Sequence, residues 1–120
     1  MADVKTYTGG CHCGAVRFEV DAAIEQGIAC NCSMCRRRGW LLGFTAADHF
    51  RLASGGDNLA EYRFNKHAIA HLFCKTCGVA AFSRGEQPKT GQDMVALNLR
   101  CLDGLDIEAV PVRHVDGASL

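Results

Sequence analysis

Seven of the eight cysteines in this 120-residue chain fall into three short clusters. The clusters have the spacings C-x-C, C-x-C-x-x-C and C-x-x-C, and their members are Cys11 and Cys13; Cys30, Cys32 and Cys35; and Cys74 and Cys77. Cysteines two residues apart make poor disulfide partners but suitable co-ligands of one metal ion. The spacing therefore predicts metal binding, with zinc as the expected ion because thiolates are typical zinc ligands.

The two outer pairs each follow a predicted strand and end in a glycine, as CHCG at 11–14 and CKTCG at 74–78. Alternate residues of a strand point to one face, so we expect Cys11 and Cys13 to reach one ion. The glycine gives the backbone the freedom to turn around a metal. Together the pairs predict a tetrahedral four-thiolate zinc site. The alternative for 74–77, a thioredoxin-like redox pair, belongs beside a βαβ unit, which the sequence does not show.

The middle cluster, ACNCSMCRRRGW at 29–40, offers three thiols for one ion. Three protein ligands with one open position are the general plan of a catalytic zinc site. The spacing alone leaves the division of the seven thiols open. The compact triplet makes the most economical open site. In the alternative division, the closed site consists of Cys11, Cys13, Cys30 and Cys32. The open site then consists of Cys35, Cys74 and Cys77.

Two kinds of group are candidates for the open position of a three-thiolate site. One is a histidine, and the chain has five: His12, His49, His67, His71 and His114. The other is water or an incoming thiol. A metal ion deprotonates a bound thiol and so converts it into a thiolate. Arginine binds carboxylates in a fork, so the block Arg36, Arg37 and Arg38 favours a small acidic thiol as the guest. The alternative for these arginines is a solvated helical face.

The alternation of apolar and polar residues predicts a β-rich domain whose turns carry the cysteines. The sequence SGGDN at 54–58 favours a hairpin between the strands on either side of it. Short helical turns are expected at 33–38 and 46–49. Strands are expected at 4–7, 15–20, 40–45, 50–53, 59–64, 68–73, 79–82 and 94–99.

Length and composition limit the classes of function. A chain of 120 residues predicts one domain over 1–120. The 13 basic and 13 acidic residues balance, which argues against a dedicated nucleic-acid binder. No apolar run is long enough to span a bilayer, and the N-terminus lacks the apolar core of a signal peptide. The expected location is the reducing cytoplasm, where clustered cysteines bind metal rather than form disulfides.

The motifs GGCHCGAVRFEV, CNCSMCRRRGW, HLFCKTCGVAAF and LNLRCLDG, which together run from Gly9 to Gly104, resemble those of one family. It is the glutathione-dependent formaldehyde-activating family, also called the centromere protein V/GFA family. The resemblance implies a mainly β, β-tent zinc-binding fold of small antiparallel sheets with short helical turns. It also implies two zinc ions per chain. The structural zinc is bound by Cys11, Cys13, Cys74 and Cys77, and the catalytic-type zinc by Cys30, Cys32 and Cys35.

The resemblance further implies an activity. The family's namesake reaction joins glutathione and formaldehyde into S-(hydroxymethyl)glutathione, or cleaves it, as a carbon–sulfur lyase. The expected partner is therefore a glutathione-like thiol, with no nucleic acid and no membrane. The alternatives are a non-catalytic zinc-binding interaction module and a zinc enzyme acting on another small thiol or aldehyde.

Other residues are weaker candidates for the substrate cleft. With the three arginines we expect Trp40, Asn98 and Arg100 to line it. Core packing is the alternative for Trp40, and strand-edge hydrogen bonding is the alternative for Asn98 and Arg100. Cys101 lies outside every cluster, and we expect it to pack as a small hydrophobic residue.

Overall fold

The computed structural model describes residues 3–63, 69–87 and 90–119. Within them, one short helix, α1, spans Ser33–Arg38. Turns of 3-10 helix lie at Ala47–His49, Gly56–Asn58, Leu99–Cys101, Ile107–Ala109 and Gly117–Ser119. The strands are β1 Lys5–Gly10, β2 Arg17–Ala22, β3 Gly27–Cys30, β4 Leu42–Ala46, β5 Phe50–Ser54, β6 Leu59–Tyr62, β7 Ala70–Cys74, β8 Phe82–Glu86, β9 Asp93–Asn98 and β10 Val112–Val115.

The strands form two sheets, which confirms the mainly β fold class. One sheet has the order β1-β2-β5, and the other has the order β10-β3-β4-β9-β8-β7-β6. Neighbours are antiparallel except for β3 and β10, which are parallel, a pairing that the sequence analysis did not predict. No helix of the described residues has the length and apolar character needed to cross a membrane.

Aromatic side chains join the two sheets. Strand β2 alternates as expected for a half-buried strand, with Phe18 and Val20 buried and Glu19 exposed. The ring of Phe18 lies 5.0 Å from that of Phe50 on β5, and the ring of Phe50 lies 4.6 Å from that of Phe82 on β8. Because β8 belongs to the larger sheet, these rings pack one sheet against the other and form the centre of the hydrophobic core.

Several predicted elements are confirmed and some are wrong. The helical turn at 33–38 is α1, and the turn expected at 46–49 lies at Ala47–His49. The hairpin around SGGDN is wrong: β5 pairs with β2, whereas β6 pairs with β7 in the other sheet, so long-range pairing overrides the local turn composition. The strand expected at 79–82 begins only at Phe82. Residues 64–68, which include His67, lie outside the described residues.

Candidate metal centres

Four cysteine sulfurs from two distant parts of the sequence lie close together. We call Cys11, Cys13, Cys74 and Cys77 the four-cysteine cluster; their sulfurs all lie within 4.8 Å of one another. The Sγ of Cys13 lies 3.7 Å from that of Cys11 and 3.7 Å from that of Cys74. A disulfide requires about 2.05 Å, whereas the edge of a tetrahedron with metal–sulfur bonds of about 2.3 Å is roughly 3.8 Å. The spacing therefore fits four thiolates around one ion.

Two similar loops place these sulfurs. The N–H of Cys11 donates to the carbonyl of Val16, and the N–H of Cys74 donates to that of Val79, both at 3.0 Å and both across five residues. The glycines after the second cysteines have left-handed backbones, with φ of 83° at Gly14 and 79° at 78, as the sequence predicted. Cys11 and Cys13 lie in a bend after β1 rather than in the strand, so the loop and not strand alternation brings their sulfurs together.

Backbone and side-chain N–H groups point at the sulfurs of this cluster. Cys74, which is 1% exposed, accepts from the N–H of Thr76 and from Nδ2 of Asn58, both at 3.4 Å. The N–H of Val16 donates to the sulfur of Cys11 at 3.3 Å. These donors stabilise thiolates, which is the form that binds metal.

The four thiols of this cluster differ in acidity. The N–H groups of Cys13 and Val79 lower the pKa of Cys77 to about 6. The N–H of Ala15 favours the thiolate of Cys13, but desolvation and the thiols of Cys11 and Cys74 together raise its pKa to about 11. Four adjacent thiols repel one another once ionised, so a bound cation is what allows all of them to be thiolates at neutral pH.

The second group of sulfurs lies where β3 passes into α1. We call Cys30, Cys32 and Cys35 the three-cysteine cluster; their sulfurs also lie within 4.8 Å of one another. Cys32 caps the helix, because its sulfur accepts from the N–H of Cys35 at 3.4 Å. The N–H of Cys32 in turn donates to the sulfur of Cys30 at 3.5 Å. The two clusters correspond to the more economical of the two divisions that the sequence left open.

The three thiols also differ in acidity. Desolvation and then the neighbouring thiol of Cys32 raise the pKa of Cys35 to about 12. Desolvation acts in the same direction on Cys32, but hydrogen bonds led by that from the N–H of Cys35 lower its pKa. Cys32 is therefore the thiolate that the fold itself stabilises, and Cys35 needs a cation to ionise.

Among residues 3–63, 69–87 and 90–119, no histidine or carboxylate joins the three-cysteine cluster at ligand distance. His71 accepts a hydrogen bond at Nδ1 from Nη1 of Arg38, at 3.3 Å. His49 lies beside Asp48, and His12 lines a cavity next to Cys11. His114 lines a cavity next to Cys30 but does not belong to the ligand group. The described residues therefore supply three ligands to this cluster, and the open fourth position stays a prediction.

The three arginines after the cluster have three different environments. Arg38 is half-buried: Nη2 donates to the carbonyl of Leu72 at 3.2 Å, and the guanidinium carbon lies 4.3 Å from the centre of the Trp40 ring. Arg37 is exposed and donates from Nη1 to the carbonyl of Ser33. Arg36 is exposed and lines the cavity beside Cys30. A single predicted function for the block is therefore too simple.

A cavity beside Cys30 connects the three-cysteine cluster with charged side chains. It has a volume of about 370 Å³, which is within the range of small-molecule sites. Its lining includes Arg36, His114 and Asn31, and also Asp116, whose carboxylate is held by Asn31 and Ser119. An anionic molecule that reaches Cys30 through this cavity meets a cation at its edge.

Comparison with known proteins agrees with this geometry. The family model described as glutathione-dependent formaldehyde-activating enzyme matches residues 6–115. The chain belongs to this family. A crystal structure of a Rhodobacter sphaeroides protein has 32% sequence identity with it and a TM-score of 0.75. The match covers 88% of this chain and 99% of that one.

Membership of the glutathione-dependent formaldehyde-activating enzyme family supports a formaldehyde-activating role at the level of the family, and with it the handling of a glutathione-related substrate. Two groups of cysteines in this family member have the arrangement needed to hold metal ions. Both agree with the resemblance found in the sequence.

Three other sequence candidates lie away from the cavity beside Cys30. Trp40 is buried, 8% exposed, under the guanidinium of Arg38. Asn98 donates from Nδ2 to the carbonyl of Ala80 and accepts from the N–H of Arg100, which is the strand-edge bonding considered as its alternative. Asn98 and Arg100 line a different cavity, of about 400 Å³, that includes Cys11. Their assignment to substrate binding stays a prediction.

Cys101 is half-buried, as expected of a thiol that packs as a small hydrophobic residue. Its sulfur lies 4.0 Å from the carbonyl of Ala80, and desolvation raises its pKa to about 11. It belongs to neither metal-binding group of the described residues.

The sequence analysis missed the C-terminal contribution to the three-cysteine cluster. Strand β10 pairs with β3, and the chain then continues past Cys30 as far as Ser119. The sequence VRHV at 112–115 does not alternate between apolar and polar residues, so it lacks the usual signal of a half-buried strand. Its pairing with β3, 82 residues or more away in sequence, has no local signature.

Proposed function

We propose that the protein is a zinc-dependent carbon–sulfur lyase that joins glutathione and formaldehyde into S-(hydroxymethyl)glutathione, or cleaves that adduct. The observation that carries the proposal is the three-cysteine cluster, whose sulfurs lie within 4.8 Å of one another and whose described ligands number only three. Membership of the family supports the choice of substrates.

The four-cysteine cluster has a different role in this proposal. Four thiolates at tetrahedral spacing form a closed structural site, and zinc is the ion that such a donor set favours. Its ligands come from the loop after β1 and from the end of β7, so a metal ion there ties the smaller sheet to the larger one. We assign Cys11, Cys13, Cys74 and Cys77 to this structural zinc.

We assign Cys30, Cys32 and Cys35 to the catalytic-type zinc. When bound with an open position, this zinc lowers the pKa of an incoming thiol and so supplies a thiolate at neutral pH. The backbone N–H groups of Cys32 and Cys35 hold the cluster's sulfurs in place through their N–H···S bonds. Arg36 attracts a carboxylate of glutathione to the adjoining cavity.

The bonds of the reaction balance without a redox partner. The glutathione sulfur loses its proton and forms a bond to the formaldehyde carbon, while the carbonyl oxygen takes up a proton and becomes a hydroxyl. Cleavage is the reverse. His114 lines the same cavity as Arg36, and we assign it to this proton transfer as part of the proposal. The chain's task is to position the two molecules and keep the sulfur ionised.

The test is an exchange experiment on the purified protein. The rate of interconversion between glutathione with formaldehyde and their adduct is measured by NMR, with and without enzyme. The native protein should accelerate the exchange, and Cys35→Ser should not. Cys101→Ser is the matched control, because this thiol belongs to neither metal-binding group, and it should retain the activity. Equal rates for the native protein and Cys35→Ser would contradict the proposal.

The alternatives give different results in this experiment. An enzyme that acts on another small thiol or aldehyde binds the second zinc but leaves the glutathione exchange at its uncatalysed rate. An interaction module predicts a continuous exposed apolar surface. Such a module would also leave the glutathione exchange at its uncatalysed rate.

A further inference from the structure

The chain beyond β10 lies directly on the three-cysteine cluster. A Cβ added to Gly117 would lie 2.4 Å from Sγ of Cys30 and 3.4 Å from Cβ of Cys32. Real Cβ atoms essentially never approach a heavy atom closer than 3.0 Å. The absence of a side chain at 117 is therefore what allows the backbone to cover the sulfur of Cys30.

One side chain, Asn31, fastens this segment. Its Nδ2 donates to Oδ1 of Asp116 at 3.0 Å, and its Oδ1 accepts from the N–H of Ala118 at 3.0 Å. Its own N–H donates to the carbonyl of Val115 at 3.2 Å. Asn31 therefore binds the chain on both sides of Gly117 and holds this glycine against the sulfur of Cys30.

Two further contacts hold the segment in place: a hydrogen bond within it and its continuity with β10. Oδ2 of Asp116 accepts from the hydroxyl of Ser119 at 2.8 Å, so both carboxylate oxygens of Asp116 are in use. The segment is continuous with β10, whose register pairs Val115 with Cys30 in the parallel strand β3. Asp116 is thus committed to holding the segment, and it is not part of the ligand group of the three-cysteine cluster.

We infer that Asn31 is a positioning residue for the three-cysteine site: through residues 115–119 it fixes the sulfur of Cys30 and closes that side of the site. The inference rests on the proposed function only in taking the cluster as a metal site. A ligand must then enter from a direction that the segment leaves open. The segment also borders the cavity beside Cys30, because Asn31, Val115 and Asp116 line that cavity together with Arg36 and His114.

This effect on metal binding is expected because residues that contact a metal ligand, without touching the metal, fix the orientation of that ligand. Removing a partner that orients a ligand typically costs about 10- to 100-fold in metal affinity. Asn31 does not touch the metal position itself, so its effect reaches the ion through the placement of Cys30. Gly117 acts by the same route, because any added side chain displaces either the segment or the sulfur.

The test measures metal binding without glutathione. The affinity of the second ion is determined by chelator competition, and the cobalt-substituted protein gives an absorption spectrum that reports the geometry of the thiolates. Asn31→Ala and Gly117→Ala should weaken the second ion about tenfold or more and alter its cobalt bands, while the first ion remains bound. Gly56→Ala is the control, because its new Cβ meets only the end of the Leu52 side chain, at 3.3 Å.

A charge swap tests whether the effect acts through the contact between Asn31 and Asp116. Asn31→Asp places a carboxylate against that of Asp116 and should release the segment by repulsion. The double variant Asn31→Asp with Asp116→Asn restores a donor–acceptor pair in the reverse sense and should recover most of the affinity. Rescue by the swap would show that the loss of affinity acts through the contact between residues 31 and 116, and thermal unfolding of the single variant measures any general loss of stability.

The outcomes distinguish the two proposals. Second-ion affinities within twofold of the native value in both Asn31→Ala and Gly117→Ala, with unchanged cobalt bands, would overturn this inference alone. Weakened affinities in these variants, together with a native protein that leaves the glutathione exchange unaccelerated, would support the inference and overturn the proposed function. A native protein that binds a single ion would overturn both.

Discussion

The sulfurs of Cys13 and Cys74 lie 3.7 Å apart although 61 residues separate them in the chain. Cys13 belongs to the loop after β1 in the smaller sheet, and Cys74 ends β7 in the larger one. A metal ion at this point therefore closes a long loop and couples the two sheets. By contrast, the three-cysteine cluster lies within six consecutive residues, so an ion there constrains little of the chain.

This difference predicts unequal effects for two similar substitutions. Cys74→Ser should abolish folding or lower the unfolding temperature severely, because structural zinc contributes about 10 kcal/mol or more of binding free energy to folding. Cys35→Ser should leave a folded protein that retains about one ion per chain. Metal analysis and thermal unfolding followed by circular dichroism measure both effects. Equal loss of folding in the two variants would contradict the division into structural and catalytic-type sites.

The three arginines predict three different phenotypes. Arg36→Ala should weaken the binding of glutathione roughly two- to fivefold, as expected for an exposed ionic contact, with no change in stability. The apparent glutathione affinity in the exchange assay measures this effect. An unchanged affinity would remove Arg36 from the substrate site.

Arg38→Ala should instead destabilise the fold by about 1–3 kcal/mol. The substitution leaves the carbonyl of Leu72 without its donor and uncovers the ring of Trp40. Urea denaturation measures the free energy of unfolding. Arg37→Ala is the control for both experiments, because this exposed side chain donates to the carbonyl of Ser33 one turn earlier in the same helix, and it should change neither quantity.

The ion pair between Asp21 on β2 and Arg51 on β5 predicts that the free energy of unfolding depends on pH. Arg51 and then Thr6 lower the pKa of Asp21 to about 2 from its ordinary value of 3.8. A carboxyl group whose pKa is lower in the folded state stabilises the fold above its unfolded pKa, and the stabilisation is lost as the pH falls through the folded value. The difference in unfolding free energy between the native protein and Asp21→Asn should therefore be constant from about pH 7 to 5 and shrink below about pH 4.

Urea denaturation at several pH values measures this difference. Arg51→Gln should give the same pH dependence, because it removes the partner that lowers the pKa. A difference for Asp21→Asn that does not vary with pH would mean that the contact with Arg51 contributes nothing through charge.

The parts of the site that depend on local spacing were predictable from the sequence. The triplet of cysteines and α1 fall within residues 30–38, and the glycine turns follow their cysteines directly, so short-range rules are sufficient for them. The family motifs added the correct grouping of the outer pairs. The reason given for Cys11 and Cys13 was nevertheless wrong, because a loop and not a strand presents them.

The parts that depend on long-range pairing were not predictable. SGGDN has the composition of a hairpin turn, but each flanking strand finds a partner elsewhere, β5 on β2 and β6 on β7. Similarly, nothing near Asn31 in sequence indicates that its amide binds the chain on both sides of Gly117. Tertiary pairing decides such contacts, and a single sequence does not encode it in local patterns.

The most direct test of the account is a titration of the cobalt-substituted protein with glutathione. The protein should bind two ions per chain, and millimolar glutathione should change the absorption bands of the ion held by Cys30, Cys32 and Cys35 while those of the four-cysteine cluster stay constant. The change should be absent in Cys35→Ser. A spectrum that does not respond to glutathione in the native protein would contradict the claim that a thiol substrate enters the open position of the second site.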